Sequence, residues 1–76
     1  MKSVHKEEYR SMLKWLINKR LSADLSQQQL ADKLDKPQSY VSKFENGERR
    51  LDLLEVLSIC SVVNANAHDL IDTLSS

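Results

Sequence analysis

The 76-residue chain has a single proline and a single glycine, Pro37 and Gly47. These two residue types are the main punctuation for turns and hairpins, so their scarcity leaves little from which to build a sheet. The apolar residues recur instead at helical spacing, which predicts an all-α fold of five helices. Pro37 suits the first turn of a helix, where its missing N–H is no loss, and Gly47 suits the position just past a helix end. Between them lies one short predicted helix, PQSYVSKFENG, running to Asn46.

Capping signals and apolar spacing place the other four. Tyr9, Met12, Leu13, Leu16, Ile17 and Arg20 form a core-facing stripe on an otherwise charged first helix, which should end near Asp24. Ser26 with Gln29 three residues on is a capping box, so a second helix starts at Ser26, with Leu30, Ala31 and Leu34 on its buried face. Asp35-Lys36-Pro37 then breaks the chain, giving two short helices around a three-residue turn over about residues 26–46. Asp52 with Glu55 starts a fourth helix (52–63) with a stripe of Leu53, Leu54, Leu57, Cys60 and Ser61. Asn66 with Asp69 starts a fifth (67–74) carrying Leu70, Ile71 and Leu74. With no repeat and no linker, residues 1–76 read as one domain.

The formal net charge is zero, but its distribution is uneven. Residues 1–50 hold 11 Lys/Arg and 7 Asp/Glu, net +4, whereas residues 51–76 hold none and 4, net −4. A basic front suits phosphate and an acidic rear suits a partner, although solvated helix faces would give the same asymmetry. One cysteine excludes an intramolecular disulfide, and no apolar run reaches the roughly 18 residues of a membrane span. The start MKSVHKEEYR has no signal-peptide core. A cytoplasmic protein is expected. A core this small supplies only about 3–5 kcal/mol, which makes self-association a natural supplement.

The helix after Pro37 separates into two faces when drawn at about 100° per residue. Gln38, Ser42, Asn46, Ser39 and Lys43 fall within about 140° of arc, while Tyr40, Phe44, Val41 and Glu45 occupy the rest. An ordinary solvent face favours Glu, Lys and Ala. This one has no acid, two small hydroxyls, two amides and one cation, a composition that leaves room for the floor of a DNA groove.

The segment LSQQQLADKLDKPQSYVSKFENGERRLDLLEVLSIC resembles the helix-turn-helix domain of the Cro and phage-repressor type, the Xre family, over about Tyr9 to Leu74. LSQQQLA, SYVSKFENG and GERRLD carry the likeness most specifically. Ala31 matches the close contact between the two helices, and Val41 matches the apolar position of the second. Where the family usually has Gly, this chain has Asp24, Asp35 and Asn64, the residue types that best tolerate positive φ. The resemblance implies a lambda-repressor-like fold in which the helix from Gln38 lies in the major groove. It makes Gln38, Ser39, Ser42 and Lys43 base contacts, with Gln38 suited to adenine and Lys43 to guanine. Ser26, Gln27, Asn46, Arg49 and Arg50 become phosphate contacts. Tyr40 is divided between a phosphate contact and core packing. An ion pair between Arg20 and Glu45 would clamp the recognition helix. The rear region often makes a two-fold dimer in this family, which nominates Leu70, Ile71 and Leu74 as its interface.

Other chemistry finds little footing. His5 and His68 lack paired zinc-ligand spacing, Cys60 sits in an apolar stripe, and Trp15 reads as a half-buried packing residue. No phosphate loop or carboxylate pair suggests an enzyme, and no metal, cofactor or small-molecule ligand is expected. The function implied is a sequence-specific double-stranded DNA-binding regulator, a repressor acting as a homodimer on a palindromic operator. The alternatives are a DNA-binding antitoxin or other protein-interaction module with a protein partner, and a restriction-modification controller.

Overall fold

In a computed structural model, residues 3–75 are described, with side chains from Lys6 onward, so His5, weighed above as a zinc ligand, lies outside the described side chains. Five helices follow in order: α1 Ser3–Ser22, α2 Gln27–Leu34, α3 Gln38–Glu45, α4 Leu53–Val62 and α5 Ala67–Ser75. No strand occurs among the described residues, and no helix is long and apolar enough to cross a membrane. The radius of gyration is 12.0 Å.

Each of the four loops begins with the same closure. One or two residues past each helix end the chain enters the left-handed region, at Asp24 (φ 60°), Asp35 (φ 60°), Gly47 (φ 81°) and Asn64 (φ 61°). The next N–H then reaches back to the carbonyl five residues earlier, Leu25 to Arg20 (3.2 Å), Lys36 to Ala31 (2.9 Å), Glu48 to Lys43 (2.9 Å) and Ala65 to Cys60 (2.8 Å). This bond closes a Schellman motif, which usually demands glycine. Asp and Asn supply the same backbone at three of the four positions.

The helix starts are equally local. Ser26 Oγ accepts from Gln29 N–H (3.0 Å) while Gln29 Oε1 accepts from Ser26 N–H (2.8 Å), and Asp52 and Glu55 do the same for α4 at 2.8 and 2.9 Å. Asn66 Oδ1 accepts from His68 N–H at the start of α5 (2.8 Å). Pro37 is one position earlier than expected: it is the extended residue before α3 (φ −69°, ψ 155°), and Gln38 is the first helical residue. Its missing N–H is harmless in either place.

The core joins Leu13 and Leu16 of α1, Leu30 and Ala31 of α2, Val41 and Phe44 of α3, Val56, Ile59 and Cys60 of α4 with Val63, and Leu70 of α5. Ala31 is wholly inaccessible, as a tight α2–α3 packing requires. Trp15 and Leu34 pack at its edge. Two expectations need correction. The buried side of α4 is Val56, Ile59, Cys60 and Val63; of the stripe read from the sequence only Cys60 is inside, and Leu53, Leu54, Leu57 and Ser61 face out. The segment LLEVLSICSV is apolar on both sides, so two stripes about 100° apart fit it equally. Leu70, nominated for a dimer interface, is 4% exposed inside its own chain, whereas Ile71 is exposed and Leu74 half-buried. A side chain already filling the monomer core has no surface to offer a second copy.

Candidate nucleic-acid interface

The α2–turn–α3 unit presents the face drawn from the sequence. Gln38, Ser39, Lys43 and Asn46 are exposed, Ser42 is half-buried, and Val41 and Phe44 are fully buried beneath them. Two core anchors three residues apart fix the rotation of α3, so its polar strip has one direction in which to point.

That direction is secured by a chain of polar contacts running from the interior to the surface. Arg20 donates from Nε to Glu45 Oε2 (2.7 Å), from Nη2 to Glu45 Oε1 (3.1 Å), and from Nη1 to the Leu25 carbonyl (2.8 Å). The two side chains are 10% and 5% exposed, so this is a buried bidentate pair joining α1 to the end of α3. Gln27 then donates from Nε2 to Glu45 Oε1 (2.9 Å), and Gln38 donates from Nε2 to Gln27 Oε1 (2.8 Å).

The carboxylate decides which way both amides face. Glu45 can only accept, so Gln27 must turn its NH2 inward and its carbonyl outward. That carbonyl can only accept, so Gln38 must turn its own NH2 toward Gln27. Gln38 keeps one N–H and the whole of Oε1 for an incoming group. One donor and one acceptor side by side complement adenine, which offers N7 as acceptor and N6 as donor in the major groove.

Around this strip the expected phosphate contacts divide. Ser26 keeps its hydroxyl proton while Oγ caps α2, and Asn46 and Arg50 are exposed beyond α3, with the Arg50 guanidinium over the Tyr9 ring at 4.3 Å. Arg49 is held more firmly: it pairs with Glu55 (2.9 Å) and lies 4.8 Å from the centroid of Tyr40. Tyr40 goes to packing. Its ring meets Phe44 edge-on at 5.6 Å, and its hydroxyl donates to Glu55 Oε2 (3.1 Å). The one proton a phosphate would need is therefore committed to a carboxylate, which corrects the phosphate reading of Tyr40. Burial, and then this hydrogen bond, push its pKa up to about 12. Glu55 moves the other way: the Asp52 backbone N–H it accepts lowers its pKa, reinforced by Tyr40 and Arg49.

Several contacts were not anticipated; two of them are Gln27 to Glu45 and Tyr40 to Glu55. The second has a faint signal, since Glu55 follows Asp52 by three and must turn back toward the loop as the capping partner. The first has none, because residues 18 apart reveal nothing of each other until α2 and α3 are packed. Among the described residues no group of His, Cys, Asp and Glu is placed to hold a metal. Cys60 is buried, which raises its thiol pKa, and His68 is exposed.

A buried ion pair behind two short packed helices, with an acid-free polar strip in front, defines a helix-turn-helix DNA-binding domain. The helix-turn-helix family model HTH_3 matches residues 16–70, and the chain belongs to this family, the Xre type of DNA-binding regulator. A solved structure described as an XRE-family like protein from Pseudomonas syringae pv. tomato str. DC3000 is similar over 97% of this chain and 90% of that one, at 38% identity and a TM-score of 0.93. No curated protein matches the chain in sequence.

Proposed function

We propose that this regulator is a cytoplasmic repressor that binds a palindromic operator as a homodimer, with α3 of each copy in successive major grooves. The observation that carries the reading is the Arg20–Glu45–Gln27–Gln38 chain, which delivers a fixed donor–acceptor pair to the front of α3. Ser39, Ser42 and Lys43 complete the base-reading strip, and Ser26, the backbone N–H of Gln27 at the start of α2, Asn46 and Arg50 supply phosphate contacts at its two ends. A second copy is supported by the rear of the molecule. Leu53 (69% exposed), Leu54 (73%) and Ile71 (57%) leave apolar surface on the last third of the sequence, which holds no Lys or Arg. DNA would gain nothing there, whereas another acid-flanked leucine surface would be desolvated. Two copies so joined would set their recognition helices about 34 Å apart, one turn of duplex.

The test is selection of bound duplexes from a random pool at about 150 mM salt, where non-specific phosphate binding is suppressed. A two-fold symmetric motif is expected, with a fixed A·T position that relaxes in Gln38→Ala. Losing one bidentate contact should cost about 1–3 kcal/mol of discrimination at that position alone. An asymmetric motif would remove the dimer, and no enriched motif would point to a protein partner for α3 instead.

A further inference from the structure

Beside the recognition unit runs an open groove of about 670 Å3 whose α1 side the helix-turn-helix reading does not use. Lys6, Arg10 and Lys14 of α1 form one wall, and Asn46, Gly47 and Arg50 beyond α3 form the other. Tyr9, Leu13 and Ile17 make an apolar floor. The three α1 cations are exposed and stand at successive i, i+4 positions, so they form one line about 12 Å long at 1.5 Å per residue. Among the described residues none of the three makes an ion pair. The one carboxylate in the groove, Glu45, is occupied by Arg20 and Gln27.

We propose that this groove seats a stretch of the DNA sugar-phosphate backbone, extending the protein's footprint from the end of α3 along α1 to Lys6. The proposal rests on the DNA-binding reading above. Three observations favour a nucleic-acid strand as occupant. The line of charge is extended rather than convergent, which fits a polyanion better than a single anion. Its far wall contains Asn46 and Arg50, already assigned to phosphate, so a strand leaving those residues enters the groove directly, and the exposed Glu48 of the same loop does not line it. The floor suits the apolar edges of deoxyribose between charged phosphates. These contacts would add affinity without reading sequence.

The experiment compares the wild-type protein with the triple variant Lys6→Gln/Arg10→Gln/Lys14→Gln on one selected duplex across a range of salt. All three residues are exposed, so the variant should keep the wild-type melting temperature. Each phosphate contact contributes about 0.9 to the slope of log affinity against log salt, so the slope should shrink by about 2.7 and binding at 150 mM salt should weaken about a hundredfold. Preference among mismatched duplexes should not change. Lys33→Gln, an exposed charge on α2 outside the groove, should leave the slope as it was. An unaltered slope in the triple variant would overturn the proposal, as would an equal loss per charge at Lys33, which would assign the effect to net charge. If the wild-type protein selects no duplex, it is the DNA-binding reading that fails.

Discussion

The Arg20–Glu45 pair can be tested for the double role the geometry gives it. Arg20→Met strands a carboxylate that is 5% exposed, and Glu45→Leu strands a guanidinium that is 10% exposed. Removing one partner of such a pair costs about 3–5 kcal/mol, because the remaining charge is left buried and uncompensated. For a domain of this size each kcal/mol lowers Tm by about 4–8 °C, so either single variant should lose at least about 12 °C. The double variant strands no charge. It leaves the Leu25 carbonyl and the Gln27 amide without those partners, and Gln27 is only half-buried and within reach of water. The double should therefore be no less stable than the worse single, which makes the coupling energy about 3 kcal/mol or more, the upper end for side chains in contact. Urea unfolding of the four proteins measures it, in a constant concentration of stabilising osmolyte so that the weaker variants begin folded. If the double loses the sum of the singles to within about 0.5 kcal/mol, the two residues act independently and the clamp is refuted.

Two further outcomes follow from single residues. Asp35 holds φ 60° and ψ 44° at the α2–α3 turn, so Asp35→Gly should relieve left-handed strain in excess of the chain entropy glycine adds, a net gain of up to about 1 kcal/mol. A melting temperature that stays level or falls would contradict this. Tyr40, with its pKa pushed up to about 12 by burial and by its hydrogen bond to Glu55, keeps its proton in the folded state after the unfolded chain has begun to lose its own near 10. Its contribution to stability is complete below about pH 10 and is lost as pH rises through about 12, so Tyr40→Phe should flatten the alkaline decline in Tm. An identical decline in the variant would place the titrating group elsewhere.

The helix ends were legible because their chemistry is local. A serine or aspartate caps a helix through groups two or three residues away, so Ser26–Gln29 and Asp52–Glu55 could be read off directly, whereas the left-handed positions at Asp35 and Asn64 came from the resemblance, which has glycine there. The faces of α3 were legible because polar and apolar residues do not mix on its wheel. The rotation of α4 was not, since LLEVLSICSV offers two apolar stripes. Tertiary contacts choose between them. Glu55, held by Asp52 N–H, Tyr40 and Arg49, pins the first turn, and Val56 and Ile59 then fall inward. The outward turn of Gln27's carbonyl was illegible for a different reason: it depends on a carboxylate 18 residues away in another helix.

Glu45 shows why stability and recognition are hard to separate in so small a domain. As a clamp it needs only its two bonds to Arg20, and a well-packed apolar pair could serve instead, often at no loss of stability. An apolar pair, however, would leave Gln27 free to rotate its amide by half a turn, exchanging carbonyl for NH2 at the surface. Gln38 would then meet either group and turn to suit, and the donor–acceptor order it shows a base edge would no longer be set. The buried charge accordingly does something a hydrophobic replacement cannot, because a group that accepts and never donates dictates the direction of every amide in series beyond it. On this argument the double variant of the cycle should still bind DNA while discriminating less sharply at the position Gln38 reads.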